Sequence, residues 1–417
     1  MKRWKFFDMD SWAEVLITLK TNKMRSILTA FGIFWGVFML VLLMGGSNGL
    51  SSKLLSSLNG FATNSCILES QSTDLPYKGF QRGRNWYFET GDLERLRNQV
   101  VEIEALTPLF SAWSSVQPTV KNRKMQQCSL YGVDVAYRQI DAPQMRKGRF
   151  LTESDVYEGR KVCVIGKRVA EELFPDDDDP CGQRIQIQNV YYQVIGVNYR
   201  TGGGFGDPAR TITIPYTTFQ HIYNRGNRVD CIAFIVKPDY TVASVVKRVE
   251  TILKRAHSIH PDDKQAVGSI NFEEMFRIVD NLFNGISVLV WMIGLGTLFS
   301  GAVSVSNILM VTVRERTTEI GIRRAIGARP SDILWQILSE SMVLTLLSGM
   351  SGIILAVWIL QGLESVGNQN DWNATFQVSF VVAIGAAFLL ALLGLLAGLA
   401  PAWRALSIKP IDAMRDE

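Results

Sequence analysis

Apolar residues in this sequence gather in four long blocks that contain no charged side chain. The blocks lie between Arg25 and Lys53, between Asp280 and Arg314, between Glu340 and Glu364, and between Asp371 and Arg404. Each block exceeds the ~20 residues that a helix needs to cross ~30 Å of hydrocarbon. The pattern predicts four transmembrane helices and excludes a soluble enzyme or a small disulfide-stapled domain.

The long segment between the first two blocks has the pattern of a folded domain. Residues 92–101 and 242–256 have apolar positions at i, i+3 and i+4, which is typical of helices packed on a surface. Alternating or β-branched runs between them predict strands at 161–165, 184–187, 191–197 and 211–214. This order predicts an α/β domain that is split by a β-rich insertion at about residues 130–222.

The placement of basic residues predicts the orientation, because Lys and Arg near span ends resist translocation. They cluster in the first 25 residues, in the 314–340 link and in the tail, whereas the 361–377 link holds none. Both termini and the 314–340 link are therefore expected in the cytoplasm, and residues 47–280 and 361–377 outside. A cleaved signal peptide is disfavoured, because the first apolar stretch is too long and no A-x-A-like site ends it. The net charge of +4 is too small to indicate a nucleic-acid partner.

These patterns together predict the following order of segments. A cytoplasmic amphipathic helix (1–25) comes first, and a capping-box pattern at Ser11 opens it. A transmembrane helix that starts a stalk (26–50), the outward domain (51–275), and a stalk with the second transmembrane helix (276–313) follow. The remaining segments are a cytoplasmic helix (314–332), a transmembrane helix (333–360), an outward loop (361–377), a transmembrane helix (378–403) and a cytoplasmic tail (404–417). The second apolar block would extend ~50 Å as one helix, which is longer than the hydrocarbon is thick.

Candidate chemistry in the outward domain is sparse. It holds all five cysteines, Cys66, Cys128, Cys163, Cys181 and Cys231. Disulfides are possible in an oxidising compartment, but the odd number leaves at least one thiol unpaired or paired between chains. The four carboxylates at 176–179 are interpreted as a solvated loop rather than a cation site. His257 and His260 are expected on the surface near a helix end rather than in a zinc site. The glycines at 202–204 are expected at the tip of a loop.

Motifs that would supply energy or catalysis are missing from the sequence. The closest approach to a phosphate-binding loop, at Gly166, Lys167 and Arg168, lacks the first glycine and the hydroxyl residue. There is no HExxH motif, and the cytoplasmic segments are too short to fold as a catalytic domain. We therefore expect a non-catalytic chain without metal or cofactor, whose energy comes from another chain.

The cytoplasmic segment 313–328 is a candidate docking element. It is rich in Arg, and the order of Glu319 and Arg323 favours an i, i+4 ion pair. Ile320, Ile322 and Ile326 are expected near one side of the helix. Gly327 is expected to end it, before Pro330. The alternative is a positively charged loop that touches lipid head groups.

The run 307–327, followed by 332–334 and Glu340, resembles the signature segment of the MacB/FtsX-like permeases, the type VII ABC transporters. Residues 22–29, 398–405 and 410–415 extend the likeness, and residues 148–152 and 195–197 resemble the family's extracytoplasmic core domain. The resemblance implies an α-helical membrane protein with four transmembrane helices and a large α/β extracytoplasmic domain between the first and second. That domain would have a porter-like part and an inserted β-rich part.

The resemblance also implies partners and a site. The 314–328 segment would be a coupling helix on a separate ABC ATPase subunit, which would hold ATP and Mg, since only about 25 residues precede the first span. The candidate coupling residues are Arg314, Glu315, Arg316, Glu319, Ile320, Gly321, Arg323, Arg324 and Gly327. A dimer of identical or related permeases is expected in the bacterial inner membrane, with the large domain in the periplasm.

Small residues in the spans permit close helix packing. The candidates are Gly32 and Gly36 in the first span, Gly294, Gly296, Ser300 and Ser304 in the second, and Gly394, Gly398 and Ala402 in the fourth. The resemblance makes the first and second spans the expected dimer seam.

Three functions are compatible with the sequence. The first is an ABC permease that transmits ATP-driven motion to the periplasmic domain and exports or extrudes an amphiphile, peptide or lipoprotein, with an adaptor and outer-membrane channel as further candidate partners. The second is an FtsX-like regulator that activates a cell-wall hydrolase. The third is a passive receptor or adhesion protein without an ATPase.

Overall fold

The computed structural model describes residues 23–58, 60–111, 116–120, 123–175, 179–200, 207–369, 376 and 380–407. The expected N-terminal helix at Ser11, the glycine run 202–204, most of the acidic run and the end of the tail lie outside these residues. The chain forms two compact units, which we call the membrane unit (residues 1–53 and 281–417) and the head (residues 54–280).

The described helices and strands follow one another in a simple order along the chain. The helices are α1 Lys23–Leu58, α2 Thr90–Gln99, α3 Tyr137–Ile140, α4 Glu153–Tyr157, α5 Lys167–Leu173, α6 Tyr216–Ile222, α7 Val242–Ala256, α8 Phe272–Glu315, α9 Thr317–Ala325, α10 Pro330–Gln369 and α11 Phe380–Leu406. The strands are β1 Ser65–Ser70, β2 Phe88–Glu89, β3 Ile103–Ser111, β4 Thr119–Val120, β5 Arg123–Lys124, β6 Ser129–Val133, β7 Met145–Gly148, β8 Val162–Gly166, β9 Arg184–Ile187, β10 Val190–Asn198, β11 Thr211–Pro215, β12 Arg228–Val229, β13 Cys231–Val236 and β14 Val267–Asn271.

Four of these helices, α1, α8, α10 and α11, are long and apolar enough to cross a membrane, which confirms the four predicted spans. α8 has 44 residues, about 66 Å of helix at 1.5 Å per residue. α10 continues to Gln369, beyond the predicted end at residue 360. A helix that leaves the hydrocarbon has no need to stop at its first charged residue, so the end of an apolar block marks the membrane boundary better than the end of the helix.

A single large sheet forms the centre of the head. Its strand order is β14-β1-β13-β3-β6-β11-β8-β10-β9-β4-β5, with β7 added on β10. The pairs β6/β11 and β8/β10 are parallel. The first four strands in this order come from the two ends of the head's sequence, and the others come from its middle. The large α/β domain between the first and second spans is thus confirmed, while the insertion's boundary near residue 130 stays a prediction.

Both faces of this sheet are buried, and side-chain alternation along each strand divides the core into two layers. In β1, Cys66 and Leu68 pack in the layer that contains residues of α2 and α7, whereas Ile67 packs in the opposite layer. The second layer also contains Phe272, the first residue of α8. The predicted helix Val242–Ala256 is confirmed, and the four predicted strands correspond to β8, β9, β10 and β11.

Candidate functional site

The candidate site is α9, which follows α8 after a single residue. Arg316 has φ −99° and ψ 15°, so the regular helix is interrupted there. Arg316 is nevertheless bonded on both sides, because Arg316 N donates to Thr312 O and Ile320 N donates to Arg316 O, each at 3.0 Å. The Thr317 hydroxyl of α9 joins the two helices, since it donates to Arg314 O of α8 at 2.7 Å. α9 is therefore a kinked continuation of α8 rather than a separate helix on a loop.

The end of α9 is fixed by Gly327. Its φ of +101° lies in the left-handed region that favours glycine. Gly327 N donates to Arg324 O at 3.1 Å and Ala328 N donates to Arg323 O at 3.0 Å, which is the paired pattern of a Schellman motif. The helix end predicted from Gly327 and Pro330 is confirmed, and α10 begins at Pro330.

One side of α9 packs on the membrane helices. Ile320 is 9% exposed and belongs to an apolar cluster. The other members of the cluster are Val313, Ile333, Ile337, Ala402 and Ala405, which come from α8, α10 and α11. This cluster holds α9 against three helices of the membrane unit.

The other side of α9 is exposed and partly apolar. Ile322 is 45% exposed and Ile326 is 83% exposed. They lie two and six residues after Ile320, and at ~100° per residue both positions fall on the side opposite to it. The expectation that the three isoleucines share one side is therefore wrong: Ile320 faces the protein and the other two face away from it.

Polar contacts add to the apolar ones. Arg316 Nη1 lies 3.9 Å from Glu340 Oε2, Arg323 Nη1 donates to Gln336 Oε1 at 3.1 Å, and Arg324 Nη1 donates to Leu406 O at 2.9 Å. Arg323 Nη2 also lies 2.8 Å from Glu319 Oε1, in the expected i, i+4 pair. A cavity of about 30 Å³ lies beside the contacts with α10, and its polar lining includes Arg316, Arg323 and Glu340.

The remaining predicted coupling residues lie near these contacts of α9. Gly321 is buried next to Ile320, whereas Arg314 and Glu315 are exposed at the end of α8. The sequence interpretation gave no role to Gln336 or to the carbonyl of Leu406. The resemblance included Glu340 without assigning a function to it, although a lone carboxylate beside an apolar block is itself a signal.

Apart from Ala402, which belongs to the cluster around Ile320, the small residues predicted for helix packing fall into three groups. Gly32, Gly36 and Gly294 bring α1 and α8 of the same chain together, since a Cβ on Gly294 would lie 2.1 Å from Leu40 Cδ1. Gly394 and Gly398 bring α11 against Thr345 and Ser341 of α10. Gly296, Ser300 and Ser304 lie on the exposed face of α8.

The pattern of small residues alone did not reveal a close approach of the α1 backbone to α10. A Cβ on Gly352 of α10 would lie 2.7 Å from the carbonyl O of Phe34. Gly301 and Gly349 also face neighbouring helices closely. These three glycines were missed because glycine is common in membrane helices, and a single sequence does not show which of them face a neighbour.

The candidate metal ligands of the head have structural partners. His257 Nε2 lies 2.7 Å from Asp92 Oδ2, and the His260 ring packs edge-on against Tyr77. All five cysteines are free thiols. Burial raises the pKa of Cys128 to about 12, with a further rise from Glu172, so this thiol stays protonated.

Comparison with known proteins places these features in a family. The model of the MacB-like periplasmic core domain matches residues 26–252, and the model of the FtsX-like permease C-terminal region matches residues 291–410. The chain is 29% identical over 403 residues to the macrolide export ATP-binding/permease protein MacB of Bdellovibrio bacteriovorus, covering 96% of this chain and 60% of that protein. It is 28% identical over 419 residues to the pyoverdine export ATP-binding/permease protein PvdT of Pseudomonas savastanoi pv. phaseolicola, covering 99% of this chain and 60% of that protein.

The periplasmic region of MacB from Actinobacillus actinomycetemcomitans, a solved structure, covers 55% of this chain and 98% of its own at 23% identity, with a TM-score of 0.43. The chain spans about 60% of the length of the curated relatives named above. The periplasmic core model alone matches more than half of the chain, and the permease model accounts for most of the remainder. The chain therefore belongs to the family of MacB/FtsX-like ABC transporter permeases, with transmembrane helices and a periplasmic domain.

Proposed function

We propose that this chain is a permease subunit that transmits ATP-driven motion of a separate nucleotide-binding subunit to its head. ATP and Mg would be held by that partner, and this chain would need no cofactor of its own. Both termini and α9 would lie in the cytoplasm. The observation that carries the proposal is the exposed apolar side of α9, where Ile322 and Ile326 lie one helical turn apart.

The surroundings of these isoleucines suit a protein contact. An apolar pair rimmed by charged side chains is typical of the centre of a protein interface. Here the rim would be supplied by Glu319 and Arg323 on the same short helix. We infer that an ATP-binding subunit covers Ile322 and Ile326, which makes α9 the coupling helix.

A displacement of α9 has a short mechanical path into α8. Only one residue interrupts the helix, its N–H and carbonyl are both bonded, and the Thr317 hydroxyl of α9 donates to Arg314 O of α8, so the kink should transmit axial force better than a loop would. α8 then continues without a break for 44 residues. Its first residue, Phe272, follows directly on β14 and is buried in the head, so no linker would absorb the motion.

The end of α1 is also fixed in the head. Ala62 N donates to Ile140 O at 2.8 Å, and Ala142 N donates to Gly60 O at 2.9 Å. The Phe61 ring stacks on the ring of Phe272, with centroids 4.2 Å apart. The segment that follows α1 and the first residue of α8 thus contact each other inside the head, where motion of these helices would arrive.

The described spans favour transport that bypasses the membrane interior. The buried hydroxyls of Ser341, Thr345 and Ser348 donate to carbonyls of their own helix, so these groups are satisfied without a polar substrate. We therefore propose that substrate is handled by the head. An amphiphile is the favoured class, because relatives are named for macrolide and pyoverdine export. A peptide or lipoprotein would be handled in the same way.

A working complex would contain further chains. We propose a dimer of this permease or of two related permeases, with a periplasmic adaptor and an outer-membrane channel as candidate partners. Regulation of an extracytoplasmic cell-wall hydrolase is the second candidate function, since the FtsX-like model matches residues 291–410. Copurification of an adaptor or of a hydrolase separates the two.

The test is copurification of an ATP-binding chain from membranes of the native host. Ile326→Asp places a charge at the centre of the proposed contact, and since this side chain is 83% exposed the fold should tolerate it. We expect recovery of the ATP-binding chain to fall at least tenfold, consistent with the loss of about 1.4 kcal/mol or more of binding free energy.

The matched control is Ile278→Asp near the other end of α8, where the side chain is 58% exposed. This variant should recover the ATP-binding chain at the wild-type level. Equal recovery by Ile326→Asp and wild type would contradict the docking role of α9. Absence of any ATP-binding chain from all three preparations would favour the passive receptor.

A further inference from the structure

Glu340 is a carboxylate in a costly position. It lies in α10, inside a segment apolar enough to span the membrane, and is only 7% exposed. Charged groups within spans are expensive, and those that occur are paired or functional. The next acidic residues along the chain are Asp332 and Glu364, several helical turns away on either side. A buried carboxylate at this position is therefore expected to have a cationic partner and a structural or functional role.

The partner lies at the kink. Arg316 is the residue that interrupts the helix between α8 and α9, and its Nη1 atom lies 3.9 Å from Glu340 Oε2. That distance is an electrostatic contact rather than a hydrogen bond. The other cation that lines the same cavity, Arg323, already contacts Glu319 and Gln336. The charge of Glu340 is thus directed at the residue where the regular helix between α8 and α9 is interrupted.

We propose that Arg316 and Glu340 are a positioning pair that fixes the kink between α8 and α9 and so orients Ile322 and Ile326. The pair acts at the joint itself, whereas the contacts of Arg323 and Arg324 hold α9 further along. Its use in coupling rests on the proposed function, but its effect on α9 is a property of this chain alone. Because loss of either partner removes the electrostatic contact that joins the kink to α10, it should free α9.

The experiment is hydrogen exchange of residues 317–328, measured by mass spectrometry on the full chain in lipid nanodiscs without any partner. Glu340→Leu and Arg316→Leu should each speed exchange of these amides at least about tenfold. The reciprocal double variant, Arg316→Glu with Glu340→Arg, should return the rates to within about threefold of wild type. A role in packing alone would not be rescued by exchanging the two charges.

Glu364→Gln is the matched control, because it removes a carboxylate charge from the same helix away from the kink. It should leave exchange of residues 317–328 unchanged. Unchanged exchange in both single variants would overturn the proposal, and so would a double variant as fast as the singles. If a single variant disrupts all of α10, the double variant decides: recovery supports the pair, and continued loss overturns it.

A second measurement separates this proposal from the proposed function. Glu340→Leu should reduce recovery of the ATP-binding chain although Glu340 is buried, and the double variant should restore it. Ile326→Asp should lower recovery at least tenfold while leaving exchange in residues 317–325 as in wild type. If no ATP-binding chain is recovered at all, the exchange data still decide whether the pair fixes α9.

Discussion

Asp155 shows at the residue scale how one charge organises part of the head. Its carboxylate is fully buried and accepts hydrogen bonds from both side-chain amino groups of Arg149, from the Thr152 hydroxyl at 2.7 Å and from the Thr152 backbone N–H at 3.0 Å. Burial raises the pKa of this carboxyl, but the hydrogen bonds from Arg149 and Thr152 outweigh burial and hold the pKa well below its usual range.

The lowered pKa sets a pH dependence. A carboxyl whose folded pKa is depressed stabilises the fold above its unfolded pKa of about 3.9, and this stabilisation is lost as the pH falls toward the folded pKa. Asp155→Asn should lower the free energy of unfolding of the head by about 1–3 kcal/mol at pH 7. The difference from wild type should shrink below about pH 4. Denaturant midpoints followed by near-UV circular dichroism at pH 7 and pH 3 measure both effects.

Glu171 provides the control for Asp155. Its carboxylate lies 3.7 Å from the Lys167 ammonium one helical turn away on α5, and both side chains are exposed, at 59% and 39%. Exposed pairs contribute little, so Glu171→Gln should change the free energy of unfolding by less than about 1 kcal/mol at pH 7. A pH-independent effect of Asp155→Asn would contradict the electrostatic role of the buried carboxylate.

Glycines decide at the element scale how closely the membrane helices approach one another. A Cβ on Gly352 would lie 2.7 Å from a backbone carbonyl of α1, which has no side-chain rotamer to yield. Gly352→Ala should therefore force α1 and α10 apart at a cost of about 1–3 kcal/mol. The thermal unfolding temperature of the chain in nanodiscs should fall.

Gly362 lies on the same helix and offers a matched comparison. A Cβ there would meet none of the described atoms within 4 Å. Gly362→Ala should leave the unfolding temperature unchanged or raise it slightly, since alanine is the better helix former. If the two alanine variants unfold at the same temperature, the close approach of α1 and α10 has been misassigned.

The element scale also shows what the sequence could predict. Because unpaired charges are costly in hydrocarbon, the four charge-free blocks were enough to predict the spans. Gly327 was enough to predict the end of α9. The kink at Arg316 could not be predicted, because neither proline nor glycine marks it. That Ile322 and Ile326 lie on the side of α9 opposite to Ile320 follows from the ~100° rotation per helical residue, so it could have been predicted from the sequence.

Contacts between side chains of different elements lay beyond such reasoning. The pairing of Arg316 with Glu340 requires knowing that α9 folds back on α10, and that of Asp155 with Arg149 requires knowing how the chain turns after β7. Periodicity predicts which face of an element is buried, but it does not identify the neighbour that buries it. The role of the predicted coupling residues therefore stays a prediction until docking is measured.

At the scale of the whole molecule, the central claim is that a push on α9 reaches the head. α9, α8 and β14 follow one another with one non-helical residue at Arg316 and none before Phe272. The contact between Phe61 and Phe272 would receive the motion. The claim requires that the state of a nucleotide bound to another chain changes the head.

The most direct measurement is hydrogen exchange of the head in nanodiscs that contain the copurified ATP-binding chain, with and without a non-hydrolysable ATP analogue. We predict that the analogue changes exchange at least about threefold in residues 60–62 and 267–276, and that Ile326→Asp abolishes the change. Identical exchange in the head with and without the analogue, in a complex shown to bind it, would contradict transmission of force through this chain.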